Sequence, residues 1–284
     1  MPEGGETVLC SEQSWQNGGK GANQAVAAAR LGAQTTFCAM LGKDAAGRSL
    51  KASIEKEGID TSFIFETEKV PTGLALILLE TNGQNRIIVN AGANMALFPE
   101  VISKAFEKDF DALLLQLEMP KETVYYACQK AMEKGIKVVL DAGPAQKLEL
   151  EKIQGIEILS PNRSEAEVLS GVRVDSFESA KKACEVLQKR SRAKHIVLKL
   201  DKEGAMLFNK DICKMFAPMP VQPVDTTAAG DAFTAALTKW YVETGDIERA
   251  MVFANAAGAL ATTKMGAQPS LPYLEEVEEM VGKG

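Results

Sequence analysis

Short apolar runs alternate with polar, mixed-charge stretches along this chain, and their period changes with position. QAVAAARL over 24–31 repeats its apolar positions at helical spacing and stops at Gly32, which predicts a glycine-terminated helix. The run over 35–41 reads as a buried strand and 47–58 as a helix of mixed charge. GLALILLE over 73–80 and RIIVN over 86–90 bracket Thr81-Asn82-Gly83-Gln84-Asn85, and Asn-Gly between two such runs predicts a hairpin. Residues 1–17 are short, polar and β-like, with Trp15 as their one large aromatic. From residue 111 the rhythm becomes regular. Nearly all-apolar runs over 111–117, 137–140, 157–159 and 196–200 alternate with helical patterns over 121–134, 164–169 and 176–189. That alternation predicts an α/β fold whose mostly parallel central sheet is sandwiched by helices. A β pair over 205–208 and 212–216 follows, and two long helices close the chain.

The stretch Asp225-Thr226-Thr227-Ala228-Ala229-Gly230-Asp231 stands between Pro220 and Pro223 on one side and an apolar helical run over 232–237 on the other. A helix starts there, and its first N–H groups and positive dipole end make an anion site that Ala228, Ala229 and Gly230 leave uncrowded. Asp231 would repel a phosphate bound so close, so the role that fits it is general base for a hydroxyl attacking phosphorus. The alternative is an ordinary N-cap aspartate after an ordinary turn. In a parallel sheet, ligands bind beyond the carboxyl ends of the strands, where Glu118, Asp141, Asn162, Lys199, Asp201 and Asp225 fall.

Composition narrows the chemistry. The 284 residues carry a formal charge of −6, which argues against a nucleic-acid groove, and no Lys/Arg run contradicts this. Five scattered cysteines and one histidine make neither a disulfide framework nor a zinc site, and a reducing cytoplasm is the expected location. His195, at the head of a strand-like run, reads as structural. No apolar run reaches membrane-spanning length, so no membrane partner is expected. Gly19-Lys20 is followed by Gly21 rather than Ser or Thr, and position 24 is Gln where a dinucleotide fingerprint needs a third glycine. Phosphate chemistry therefore has to use another anion site, and the turn before Asp231 is the candidate.

Gly18-Gly19-Lys20-Gly21-Ala22-Asn23-Gln24-Ala25 and Asp225-Thr226-Thr227-Ala228-Ala229-Gly230-Asp231 resemble, in order and separation, the two signatures of the ribokinase-like carbohydrate kinase family. Gly266-Ala267-Gln268-Pro269-Ser270 and Gln116-Leu117-Glu118 are in the same style, and the resemblance runs from about residue 5 to the C-terminus. It implies an ATP-dependent kinase acting on a primary hydroxyl of a small sugar, D-ribose first, to give ribose 5-phosphate. Another carbohydrate or nucleoside kinase of this fold is the alternative. Asp231 would be the base and the N–H groups of Ala228, Ala229 and Gly230 the anion hole. Gly19, Lys20, Gly21, Asn23 and Glu118 would contact sugar hydroxyls; a loop leading into a helix, and a surface carboxylate at Glu118, are the plainer readings.

By the same resemblance Glu165, in Asn162-x-x-Glu165, would order magnesium-bound water with Asn162 near the phosphates, although the spacing also fits a capping box. Lys199, Gly204 and Asn255 would line the nucleotide site, where family members usually show Thr-Leu-Gly-x-x-Gly and this chain has Lys199-Leu200-Asp201-x-x-Gly204. Lys199 would meet a phosphate, while Asp201 brings a side chain and a negative charge where the nucleotide passes. Asp225, Thr227, Ala261, Lys264, Gly266 and Ser270 would surround potassium or another monovalent cation. Segments 1–17 and 73–90 would form a β lid that pairs two subunits into a homodimer, with 18–72 and 91–284 forming the α/β domain. Family members open with a buried strand and a sugar-binding aspartate before a Pro-x-x-Gly-Glu-Thr segment. This chain starts at Pro2-Glu3-Gly4-Gly5-Glu6-Thr7, so the expectation is either an upstream start or an impaired form, a truncated sugar- or nucleotide-binding protein.

Overall fold

The computed structural model of the chain describes residues 5–10, 12–79 and 85–282. α1 (Lys20–Arg30), β1 (Thr36–Gly42), α2 (Ala45–Lys56) and β2 (Asp60–Thr67) come first, and β1 pairs with β2 in parallel as a separate two-stranded sheet. β3 (Leu74–Leu79) and β4 (Asn85–Asn90) form an antiparallel pair with Leu74 opposite Asn90. The intended hairpin turn at 81–84 lies outside the described residues. After the short α3 (Pro99–Ile102) follow β5 (Ala112–Leu115), α4 (Lys121–Glu133), β6 (Lys137–Asp141), β7 (Ile158–Ser160), α5 (Arg163–Ser170), α6 (Phe177–Ser191) and β8 (His195–Lys199). β9 (Ala205–Phe208), β10 (Cys213–Phe216), α7 (Ala229–Thr244), α8 (Ile247–Ala261) and α9 (Leu274–Gly282) complete the chain.

The main sheet has six strands in the order β10-β9-β8-β7-β6-β5. β5 to β8 run parallel, and β9 and β10 are antiparallel additions at one edge. Because side chains alternate across a strand, Val138 and Leu140 of β6 join one apolar cluster and Val139 the other; Ile196 and Leu198 of β8 likewise oppose Val197. One cluster is completed by α1, α7, α8 and α9, the other by α4, α5 and α6. Leu140, Ile158, Ile196 and Leu198 are fully buried, and each such side chain contributes about 1.5–3 kcal/mol. α7 lies against α8 with the Trp240 and Phe253 rings stacked at 4.1 Å, which fixes the helix that carries Asp231.

The sequence pattern and the structure part at several places. Residues 5–10 and 12–19 form no strand. Val8, Leu9 and Trp15 stay exposed, so the segment has no apolar face to bury, and Gln16 Oε1 ties it to the Ala267 N–H instead. α1 begins at Lys20, not at 24, with the Asn23 N–H donating to the Gly19 carbonyl; Lys20, Gly21 and Asn23 are therefore first-turn helix positions. β2 and α9 have no counterpart in the predicted elements.

Candidate active site

The carboxyl ends of β5, β6, β7 and β8 and the N-termini of α1 and α7 converge on one polar cluster. α7 starts where Ala228 takes the left-handed conformation at φ 61°, an uncommon choice for a residue with a Cβ. The Ala229 N–H makes a long 3.3 Å bond to the Thr226 carbonyl, and a methyl placed on Gly230 would meet no atom within 4 Å. Small residues thus leave the helix N-terminus open beside Asp231.

Asp231 is 5% exposed, with Oδ2 accepting from Asn23 Nδ2 at 2.8 Å and Oδ1 from Gln24 Nε2 at 3.1 Å. The Lys20 ammonium lies 3.8 Å from Asp231 and 3.6 Å from Asp141. Gln24 Nε2 also donates to Asp141 Oδ2 at 2.8 Å, and Lys199 Nζ to Asp141 Oδ1 at 2.6 Å. The Gln24 amide is oriented by Gln116, whose Nε2 donates to its Oε1. Glu118 accepts from the Lys20 backbone N–H at 3.0 Å. Gly143 brings the backbone close to this cluster: a Cβ there would stand 2.6 Å from Glu165 Oε1 and 2.8 Å from Lys20 Nζ, so both side chains would have to move.

These surroundings separate the two buried aspartates. Burial pushes the Asp231 carboxyl up; Lys20 opposes this and Asp141 adds to it, and the result stays above the usual carboxylate range. Burial pushes Asp141 up as well, but Lys199 and Lys20 outweigh it and hold Asp141 below that range. Burial also raises Glu118 and Glu165. Burial alone would lower Lys20, yet Asp141, Asp231, Glu165 and Glu118 around it raise it instead. Two carboxylates with opposite displacements can divide labour, and the raised one is the better proton acceptor.

The other predicted residues lie around this cluster. Asn162 caps α5: its Oδ1 accepts from the Glu165 N–H at 2.9 Å while Glu165 Oε2 accepts from the Asn162 N–H at 2.7 Å, so the capping box is formed. Gly204, at φ 90°, packs so close that a Cβ would meet the Phe216 carbonyl at 2.1 Å. Asn255 Nδ2 donates to the Ala217 carbonyl at 3.0 Å, tying α8 to the chain after β10. Asp201 is at φ 53° and lines a surface cavity of about 260 Å³ with Asn162, Arg163, Ser164 and Glu167.

Asp225 joins two loops, accepting from the Thr227 N–H and hydroxyl and, at 2.9 Å, from the Gly266 N–H. Ser270 is buried and donates to the Ala267 carbonyl at 2.8 Å; Ala261 ends α8, and the Lys264 ammonium pairs with Glu276. Among the described residues no three His, Cys, Asp or Glu side chains group as metal ligands. His195 is buried between Tyr241 and Asn209, and burial with Lys194 nearby pushes its imidazole down to about 4, as a structural histidine requires. The sequence shows Gln24 and Gln116 only as parts of motifs and Asp141 only as a strand-end residue, yet all three belong to the cluster. The strand-end position of Asp141 was the usable signal, whereas Gln24 lies on a helix face whose orientation toward α7 no local pattern reveals.

A family model described as pfkB family carbohydrate kinase matches residues 1–274. The chain is similar to a ribokinase of Haemophilus influenzae, 39% identical over 279 residues that cover 98% of this chain and 91% of that protein. A deoxyribokinase of Salmonella typhi is 35% identical over 285 residues, covering 98% and 92%. The solved structure of Arabidopsis thaliana ribokinase complexed with ribose and ATP matches with a TM-score of 0.89 and 32% identity, covering 99% of this chain and 92% of that one.

Proposed function

Because this chain belongs to the pfkB family of carbohydrate kinases, we propose that it transfers the γ-phosphoryl group of ATP to the primary hydroxyl of D-ribose, giving ribose 5-phosphate and ADP. The observation that carries this reading is Asp231: a buried carboxylate with a raised pKa, on the first turn of α7, one residue from the open face at Gly230. Asp231 takes the hydroxyl proton as the sugar oxygen bonds to phosphorus; the bond from the γ-phosphorus to the β–γ bridging oxygen breaks, and ADP leaves with that electron pair. In this reading the N–H groups of Ala228 and Gly230, with that of Ala229 released from its 3.3 Å bond to the Thr226 carbonyl, stabilise the charge on the transferring group, and the α7 dipole has its positive end there.

Gly19, Lys20, Gly21, Asn23 and Glu118 hold the sugar in this reading. In support, Asn23 Oδ1 is buried without a hydrogen-bond donor among the described residues, an acceptor left for a hydroxyl. Asn162, Gly204, Gly230 and Asn255 line the nucleotide path. Glu165 fits magnesium held through water, because one buried carboxylate without a full protein cage matches that ion's habits. Bound magnesium would supply charge neutralisation on the phosphates. The Asp225–Gly266 junction, with Thr227, Ala261, Lys264 and Ser270, is the monovalent-cation candidate, in which Asp225 supplies the charge.

The β3–β4 pair is assigned as a lid with 1–17, apart from the domain formed by 18–72 and 91–284, and as the homodimer contact. Its exposed Leu74, Leu76, Ile77, Ile87, Ile88 and Val89 support that use. The chain is assigned to the cytoplasm; among the described residues no helix is long and apolar enough to cross a membrane. A second substrate reading, 2-deoxyribose, draws on the similarity to the deoxyribokinase. Asp231→Asn tests the assignment: sugar-dependent ADP release is lost while calorimetry still detects ATP binding, and retained turnover overturns the base.

A further inference from the structure

Resting on Asp231 as the base, we infer that Lys199 and Asp141 act as a positioning pair for it: Lys199 neutralises Asp141 so that Lys20 and Gln24 remain available to Asp231. The two buried carboxylates draw on the same donors. Gln24 Nε2 is 2.8 Å from Asp141 Oδ2 and 3.1 Å from Asp231 Oδ1, and Lys20 Nζ is 3.6 Å and 3.8 Å from those same oxygens. Gln24 cannot turn away without breaking its bond from Gln116. What prevents Asp141 from taking both donors is Lys199, bound to its other oxygen at 2.6 Å with the lysine side chain only 12% exposed.

Lys199 reaches α7 as well. Its ammonium is 3.3 Å from the Thr234 hydroxyl, and that hydroxyl donates to the Gly230 carbonyl at 2.8 Å. One cation therefore touches the competing carboxylate and the helix turn that carries the base. The charged groups acting on Asp231 are Lys20 from α1, Asp141 from β6 and Glu118 after β5, while Lys199 from β8 and Glu165 from α5 act on Asp141 and Lys20; the buried residues of α8 carry no charge. With Lys199 present, two lysines face Asp141 and Asp231. Without it, two buried carboxylates share one ammonium, and the pair holds a proton to higher pH.

The test is the pH profile of kcat/KM for ribose at saturating magnesium-ATP in the full-length protein. Lys199→Met moves the acid limb up by about one pH unit and lowers kcat at neutral pH. Asp141→Asn alone moves the limb down, because it removes a negative charge beside Asp231. Asp141→Asn with Lys199→Met returns the limb to the parent position. A Lys199→Met limb that coincides with the parent's overturns the inference. So does a raised KM for ATP that Asp141→Asn fails to reverse, which marks Lys199 as a phosphate ligand instead. If Lys199→Met does not fold, as thermal unfolding would report, Asp141→Asn and the double variant decide: coincident limbs overturn the pair and separated limbs support it. Asp231→Asn, measured alongside, separates the two claims. Retained turnover there defeats the base assignment itself, whereas its loss with an unmoved Lys199→Met limb defeats the positioning pair alone.

Discussion

Replacing Gly230 by alanine asks whether the space at the start of α7 exists for stability or for a ligand. Gly230 is on the first turn of that helix, and a Cβ built on it meets no atom within 4 Å. No overlap therefore opposes folding. Alanine is favoured over glycine in helices by about 1 kcal/mol in the interior and by less at a first turn, so Gly230→Ala is expected to be as stable as the parent or up to ~1 kcal/mol more stable. Function moves the other way. On the proposed reaction, the added methyl would stand where oxygens of the transferring phosphoryl group approach the N–H groups of the α7 turn. Removing access to a donor of that kind costs about a hundredfold in kcat. The assay pairs urea unfolding followed by circular dichroism with coupled ADP release at saturating ATP and ribose. An unfolding midpoint at or above the parent's with turnover down about a hundredfold supports the anion site. Turnover within roughly threefold of the parent refutes it, because the methyl would then be occupying space the reaction does not use.

Gly204→Ala has the opposite outcome. Its Cβ would stand 2.1 Å from the Phe216 carbonyl, a backbone atom, at a φ of 90°, so stability falls by about 3 kcal/mol or more in urea unfolding, whatever happens to nucleotide binding. The sole imidazole, His195, has a folded-state pKa pushed down to about 4 against an ordinary 6.5. The unfolded chain then binds the extra proton between those values, so stability is complete above pH 6.5 and declines as pH falls toward 4. Urea midpoints measured from pH 7 to 4.5 should show that decline in the parent and a shallower one in His195→Asn.

Much of the architecture is legible in the chain because the physics behind it is local. The nearly all-apolar runs of β6 and β8 mark strands buried on both faces, and the capping-box spacing at Asn162 marks a helix start. The β-like pattern over 1–17 yields no strand among the described residues 5–10 and 12–17, because a short polar segment offers that spacing without an apolar face to pair on. In β2 the polar Asp60, Ser62 and Glu66 obscured a strand that parallel pairing with β1 completes. Within the site, each glycine turn was visible, but the pairings were not. Gln24 and Asp231 are 207 residues apart and Lys199 and Asp141 are 58 apart, and only the packing of α1 on α7 and of β8 near β6 brings them together. An isolated lysine at a strand end looks like a ligand for phosphate; its buried carboxylate partner becomes apparent only in three dimensions.

The most direct measurement is ADP release by the full-length protein with magnesium-ATP and potassium, with ribose and 2-deoxyribose compared side by side and Asp231→Asn as the control. The account predicts ribose-dependent release that disappears in the control. A folded, ATP-binding protein that releases ADP no faster with ribose than without it would contradict the proposed reaction.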